Sequence, residues 1–407
     1  MDGVTFRTRP RARGAAAALL AVLLPLAGCA APKPPAPDRP AIQRLLDQRA
    51  RALLARDEPG YLAAVDPALV PAARTEFERL AAVPLAAWSY RLTDVERTGP
   101  GRVTARAELG YRVEGYDSGP VTGTRILDLA DQGGRWYVTA DRAADGAPQQ
   151  LWQQGVVRAR AGKRSLVLGV GQSRERLAEI AAAADAAVPA ASGAWPSPWA
   201  GRVVVIVPAS TNAMGRLLGA PASAYRGIAA VTTGEAGGGP KAPADRIIVN
   251  PEAYAGLGEF GRRFVLTHET THVATRARTT AATPLWLSEG FADWAAYRGS
   301  GRTPAAAAPE LAREVLAGRV PAALPDDKDF AFGGGAGALA RAYEGGWLAC
   351  AMIADKWGET ELTAFYGAVG SRKERAGAVE KAMNDVLGVT PEEFTARWRA
   401  YLGERLG

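Results

Sequence analysis

Two histidines separated by one helical turn form the part of the sequence that is best suited to chemistry. The chain of 407 residues contains only two His, and both fall in the segment HETTH at residues 268–272. No Gly or Pro interrupts residues 262–278, so a helix is expected there. Positions i and i+4 of a helix lie on one face, and two imidazoles so placed can bind one zinc ion. We therefore predict that His268 and His272 bind Zn²⁺.

Glu269 follows the first histidine directly and points about 100° away from it around the helix axis. From there its carboxylate can reach water near the metal without becoming a ligand itself. A metal that acidifies water and a carboxylate that takes its proton are the parts that a zinc hydrolase needs. Glu269 is therefore predicted to be the general base. The alternative is that the two histidines are core or surface residues that lie close together by coincidence.

A catalytic zinc site needs a third protein ligand and keeps one open position. The metzincin pattern would place Gly at 275 and His at 278, but this sequence has Thr275 and Arg278 there. The segment WLSEGFADW at residues 286–294 resembles the W-L-x-E-G-x-A segment of gluzincins, whose glutamate completes the zinc shell. The resemblance implies that Glu289 is the third ligand. The alternative for Glu289 is a solvated carboxylate on a helix surface.

Asp293 follows Glu289 by four residues, so the two share a helix face. Zinc-bound histidines usually donate their other ring N–H to a carboxylate or a carbonyl. Thermolysin-like enzymes resemble this sequence in having an aspartate at the same spacing. We predict that Asp293 supports a zinc-bound histidine, with a simple surface aspartate as the alternative.

The resemblance to gluzincins also implies a role for a residue of the C-terminal half. In such enzymes a Tyr or His from that half often stabilises the tetrahedral oxyanion, and this sequence has no further His. Tyr343 is the catalytic candidate, and core packing is its alternative role. The Gly-x-Met-Glu-Asn segment of gluzincin aminopeptidases is missing from the sequence, which favours endopeptidase action.

Residues 1–29 have the pattern of a lipoprotein signal peptide. Four Arg between positions 7 and 13 precede an apolar run at 15–27, which is too short to span a bilayer. The run ends in LAGC, which resembles the bacterial lipobox and implies lipidation of Cys29. The alternative is a plain signal peptide with an incidental Cys. The proline-rich residues 30–40 are expected to form an extended tether.

Residues 41–146 are predicted to form a small α+β module. Apolar residues recur at helical spacing across residues 40–55, and residues 103–113 alternate between apolar and polar side chains as in a half-buried strand. Two more strands are expected at 121–129 and 135–139. Helices followed by an antiparallel sheet resemble the cone-shaped fold of nuclear-transport-factor-2-like proteins. The resemblance implies a module that binds a ligand, dimerises or serves as a spacer.

Residues 155–405 are predicted to form the metallopeptidase domain. Buried strands are expected at 165–170 and 202–207. The segment RIIVNP at 246–251 resembles the edge strand that lines a zincin cleft, where an extended peptide can add by backbone hydrogen bonds. The glycine-rich residues 234–240 would form a mobile rim beside it.

The C-terminal half of this domain is expected to be helical. The chain is loop-rich from Gly299 to about Leu339, after which apolar residues at helical spacing lead to Gly358. The segments at 341–347 and 394–402 resemble the helical end of peptidase MA-like proteins, a gluzincin-related group. The predicted fold class is therefore α+β, with a cone-shaped α+β module followed by a zincin-like α+β metallopeptidase domain with a helical C-terminal half.

The net charge and the hydropathy of the chain argue against nucleic-acid binding and against membrane-spanning helices. Removal of the signal peptide takes away four Arg and one Asp, which lowers the formal net charge from +7 to +4, too mild a charge to indicate nucleic-acid binding. No apolar run reaches the roughly 18–20 residues that a spanning helix needs.

The sequence as a whole predicts a zinc metallopeptidase that is exported and lipid-anchored to the outer face of a bacterial cell membrane. Its substrate is expected to be a peptide or protein of the cell envelope. One alternative is a non-catalytic envelope lipoprotein that binds a ligand or partner, with zinc structural or absent. Another is a peptidase whose cleft stays closed until a partner opens it.

Overall fold

The computed structural model describes residues 38–234, 242–331 and 335–407. The predicted signal peptide, Cys29 and most of the tether lie outside the described residues, as does most of the glycine-rich segment at 234–240. None of the helices that the structure describes is both long and apolar enough to cross a membrane. The predicted α+β class is confirmed, with a sheet in the N-terminal part and a helical C-terminal half.

The helices and strands of the described residues are numbered in chain order. The strands are β1 (Leu85–Gly99), β2 (Arg102–Val113), β3 (Val121–Gln132), β4 (Arg135–Ala143), β5 (Val157–Ala161), β6 (Ser165–Val170), β7 (Val203–Val207), β8 (Ala230–Thr233) and β9 (Arg246–Val249). The α-helices are α1 (Arg39–Leu54), α2 (Glu58–Leu62), α3 (Val70–Arg79), α4 (Leu151–Gln154), α5 (Arg174–Ala194), α6 (Thr211–Leu218), α7 (Pro251–Ala255), α8 (Glu259–Thr275), α9 (Leu285–Tyr297), α10 (Pro304–Ala307), α11 (Pro309–Leu316), α12 (Ala336–Trp357), α13 (Glu359–Gly370), α14 (Ala378–Ala382) and α15 (Pro391–Leu406).

The first sheet is an antiparallel meander in the order β1-β2-β3-β4, with α1 packed on it. The alternation at residues 103–113 buries one face of β2, as predicted, and Gly133 and Gly134 make the turn between β3 and β4 with positive φ angles. The sequence patterns do not predict β1. Register shifts at Leu92 and at Arg97 interrupt its pairing with β2, so its apolar residues do not alternate cleanly.

The second sheet has the order β5-β6-β7-β9-β8, with a parallel centre and antiparallel outer pairs. The prediction that residues 246–251 provide the edge strand is wrong, because β9 lies between β7 and β8. All four residues of β9 are buried, as suits a strand covered on both faces, whereas three of the four residues of β8 are only half-buried. The edge strand on this side of the sheet is therefore β8, and β5 forms the opposite edge.

The helical half is assembled around α8, α9 and α12. Helices α9 and α12 cross at two glycines, where a Cβ added to Gly290 would overlap the carbonyl oxygen of Gly346. The prediction that the chain is loop-rich from 299 to about 339 is wrong for α11. Leu311 and Val315, on the apolar side of this helix, are buried in the helical core. A capping box begins α15, where reciprocal bonds join Thr390 and Glu393.

The hydrophobic core of the first sheet extends into the second sheet. The buried cluster that contains Tyr111 and Val113 of β2 continues through Trp152 of α4 to Leu166 and Leu168 of β6. A buried salt bridge makes a second connection. Arg246 of β9 forms a bidentate pair with Asp117 at 2.9 and 2.8 Å, and both side chains are at least nine-tenths buried. The two sheets are thus joined by shared packing and by a buried ion pair.

Candidate metal centre

Helix α8 holds both histidines on one face. Its buried positions recur at four-residue spacing, as at Leu266, Thr270 and Ala274, and this stripe packs the helix against its neighbours. The imidazoles of His268 and His272 project from the adjoining face. Their Nε2 atoms are 3.0 Å apart, as the i and i+4 spacing predicts.

Helix α9 brings Glu289 to the same point. The helix is largely apolar, and Trp286 and Phe291 bury in the helical core on either side of the glutamate. The Oε2 atom of Glu289 lies 3.2 Å from Nε2 of His268 and 3.4 Å from Nε2 of His272. The structure therefore places close together the three residues that were predicted from the sequence to be metal ligands.

The three donor atoms have the spacing that zinc requires. Their separations of 3.0, 3.2 and 3.4 Å are close to the ~3.3–3.4 Å between donor atoms that lie 2.0–2.1 Å from a tetrahedral zinc ion. Two imidazole nitrogens and a carboxylate are also ligand types that catalytic zinc sites use. Two Nε2 lone pairs would repel each other at this distance without a proton or cation between them. The donor set therefore fits Zn²⁺.

Asp293 lies behind the first histidine. Its Oδ1 is 2.8 Å from Nδ1 of His268, and its side chain is 10% exposed, so it is not a surface aspartate. A carboxylate at this position accepts a hydrogen bond from the Nδ1–H group. The unprotonated Nε2 then directs its lone pair at the metal position. The structure thus places Asp293 in contact with the histidine that it was predicted to support.

The charges around the histidines favour a cation. Burial lowers the pKa of His268, but hydrogen bonds to Asp293 and Glu289 outweigh burial and raise this pKa well above its ordinary value. Burial would raise the pKa of Glu289, yet the charge of His272 and hydrogen bonds from both imidazoles hold it well below its usual range. The pKa of Asp293 is raised, chiefly by burial. The two carboxylates therefore stabilise positive charge at the position between the imidazoles.

Glu269 does not join the ligand cluster, as expected from its place on the helix. It is 7% exposed and lines a cavity together with His268. Thr232 of β8 places its hydroxyl 2.6 Å from Oε2 of Glu269 and 3.1 Å from the backbone oxygen of the same residue. The edge strand therefore fixes the carboxylate that is the candidate base.

The cavity beside the histidines has a volume of about 330 Å³. Its wall is rich in aromatic side chains, since Phe264, Tyr297 and Trp347 line it, and Phe264 and Tyr297 pack with ring centroids 4.5 Å apart. Glu269 and the alanines at 229 and 230 form part of the same wall. A space of this size beside the metal position can accept one large apolar side chain.

Tyr343 also lines this cavity. Its ring centroid is 6.5 Å from that of His268, and its other side packs edge-on against Phe330. Burial, followed by the charge of Glu289, raises the pKa of Tyr343 well above its ordinary value, so the phenol stays protonated and can donate a hydrogen bond. The structure brings Tyr343 to the site, and its catalytic role stays a prediction.

Sequence reasoning missed three contributors to the site. Thr232 lies in a strand of only four residues, which is too short for a period-two pattern to be recognised. Tyr297 of α9 and Trp347 of α12 each lie at helical spacing from apolar residues of their own helix, a pattern that is equally typical of core residues. The signal that could have found Thr232 is its place one strand before β9 in the chain, since antiparallel neighbours in sequence commonly pair.

Comparison with known proteins adds little to this geometry. No family model matches the sequence, and no curated protein matches it. Among solved structures, a variant of a protein of unknown function from Mycobacterium tuberculosis is similar over 27% of this chain and 72% of that chain, with 17% identity and a TM-score of 0.23. A likeness this low supports no conclusion about fold or function.

Proposed function

We propose that the protein is a zinc-dependent peptidase of the gluzincin type, related to peptidase MA-like proteins and exported as a lipoprotein. The observation that carries the proposal is the triangle of donor atoms from His268, His272 and Glu289, with separations of 3.0–3.4 Å. Beside it lies Glu269, a buried carboxylate that faces the cavity without entering the triangle. Histidine pairs of structural zinc sites have no need of such a carboxylate.

Each residue has one part in the proposed reaction. A zinc ion bound by the triangle would polarise the scissile carbonyl and acidify the attacking water. Glu269 takes the proton of that water and later gives it to the leaving amine. Thr232 donates to Glu269 and holds its carboxylate towards the cavity. Tyr343, which lines the same cavity, would donate a hydrogen bond to the oxygen that gains charge.

The edge strand supports a peptide as the substrate. In the described part of the chain β8 pairs only with β9, which leaves its other edge free next to the cavity that Ala230 lines. An extended peptide can add to such an edge through backbone hydrogen bonds. The aromatic wall of the cavity would then take one large apolar side chain next to the scissile bond.

The alternative function is a non-catalytic envelope lipoprotein in which the zinc is structural. The two functions differ in what Glu269 does. We expect Glu269→Gln to retain about one zinc per chain and to lose hydrolysis by a factor of about 10²–10⁴, because it removes the base but no ligand.

Metal content and the digestion of a broad peptide library, with a chelator as control, measure both quantities. Glu259→Gln is the matched control, since Glu259 is an exposed residue of the same helix. A wild type without zinc, or a Glu269→Gln variant with normal cleavage, would overturn the peptidase proposal.

A further inference from the structure

A second cavity, of about 320 Å³, lies between the two sheets. Thirteen of the seventeen residues that line it have apolar or aromatic side chains, among them Tyr111 of β2, Trp152 of α4 and Ile248 of β9. Thr233 lines it too, although its neighbour Thr232 faces Glu269, because successive side chains of a strand point to opposite faces. The cavity is therefore behind the edge strand, and among the described residues none lines both cavities.

The walls of this cavity are held apart by the fold. Ile248 belongs to a paired strand of the second sheet and Tyr111 to a paired strand of the first. The buried pair of Asp117 and Arg246 fixes the distance between the sheets at one end, and Asp117 also accepts hydrogen bonds from the backbone nitrogens of Val113 and Ala244. A pocket of this size with fixed and largely apolar walls has the properties of a binding site.

The lining defines the chemistry of the ligand. An apolar cavity of about 150 Å³ is enough to bind benzene, and this cavity is roughly twice that size. At its polar end, the hydroxyl of Tyr111 donates to Oε1 of Gln150 at 3.1 Å. Within the described residues, Nε2 of Gln150 has no hydrogen-bond partner, so this amide can donate to one acceptor atom of a ligand.

We propose that this cavity binds a small apolar molecule of about two rings that carries one hydrogen-bond acceptor. The molecule lies between Trp152 and Ile248, and its acceptor receives a hydrogen bond from Gln150. The site is independent of the metal centre, so its occupancy does not require zinc. The apolar body supplies most of the affinity, and the polar group sets the orientation.

Calorimetric titration of the full chain with 1-naphthol tests the proposal. We expect saturable binding of one molecule per chain, with and without a chelator. Leu217→Trp, at the half-buried end of α6, and Val121→Phe, at the start of β3, enlarge residues that line the cavity. Each should weaken binding by about tenfold or more, because a filled cavity cannot accept the rings.

Asn212→Trp is the matched control, because Asn212 is exposed on α6 and does not line the cavity. It should bind 1-naphthol as the wild type does, and circular dichroism identifies any variant that has not folded. The two cavity substitutions lie in different elements, so one folded variant suffices. The proposal is overturned by a wild type that shows no saturable binding, or by a folded cavity variant that binds as tightly as the wild type.

Discussion

At the scale of single residues, the candidate site depends on contacts that hold each functional atom from behind. Nε2 of His268 can face a metal because Nδ1 is held by Asp293 at 2.8 Å. Glu269 is held in the same way by Thr232 at 2.6 Å. Neither supporting residue is a ligand or a base, yet each decides which way a ligand or base points. Substitutions at these two positions therefore separate metal binding from catalysis.

Thr232→Val should impair catalysis and leave zinc binding intact. The substitution keeps the shape of the side chain but removes the hydroxyl that orients Glu269, so we expect kcat to fall by about tenfold. Zinc content and kcat on a cleaved peptide are the two measurements. Thr233→Val is the matched control, because Thr233 is next in the strand but faces the opposite cavity. Loss of zinc from the Thr232 variant would show that this residue supports the ligands instead.

Asp293→Asn should weaken zinc binding. The amide can still accept from Nδ1 of His268 but no longer carries the charge that favours a cation, and such supporting residues change metal affinity by about 10–100-fold. Competition with a chelator measures the affinity. Asp145→Asn is the control, because Asp145 is exposed. An unchanged zinc affinity would mean that Asp293 has only a packing role.

At the scale of elements, the close crossing of α9 and α12 sets the site. Glu289 is next to Gly290, and Tyr343 is three residues before Gly346, so the contact of these two glycines determines where both side chains lie. A Cβ on Gly346 would lie 2.7 Å from the carbonyl oxygen of Trp286, so the approach is tight from both sides. Backbones can come this close only where side chains are missing.

Gly290→Ala should push the two helices apart. The added methyl would overlap the backbone of Gly346, so we expect a loss of stability of about 1–3 kcal/mol or more, together with weaker zinc binding. Thermal unfolding and zinc titration measure the two effects. Gly367→Ala is the matched control: it lies in α13 with no atom within 4 Å of its added Cβ, and should raise stability by about 0.5–1 kcal/mol. A Gly290 variant as stable as this control would contradict the tight crossing.

The elements also show how far the sequence alone could predict the molecule. The histidine helix, β2 and the start of α15 follow from local patterns, because spacing, alternation and caps act over a few residues. The edge strand could not be predicted in this way, since the order of β9 and β8 in the sheet is a property of tertiary pairing. Thr232 was missed because its strand has only four residues, and its contact with Glu269 spans 37 positions of the chain, beyond the reach of any local pattern.

At the scale of the whole molecule, the N-terminal sheet and the sheet beside the metal centre behave as one structure. The buried cluster that includes Tyr111 continues to Leu168 of β6, and Asp117 pairs with Arg246 of β9. Asp245, the neighbour of Arg246, pairs in turn with Arg276 at 2.8 Å, directly after α8. Two adjacent ion pairs thus link the first sheet, β9 and the end of the histidine helix.

Asp117→Asn should destabilise the whole described structure. The substitution leaves the charge of Arg246 buried without its partner, and breaking a buried pair in this way costs about 3–5 kcal/mol. We expect urea unfolding of the wild type and of the variant to show one transition each, because the shared core couples the two sheets. Asp385→Asn is the control: it removes an exposed pair with Lys381 and should change stability by less than about 1 kcal/mol. Two separate transitions in the wild type would show that the first sheet folds on its own and that the ion pair only docks it.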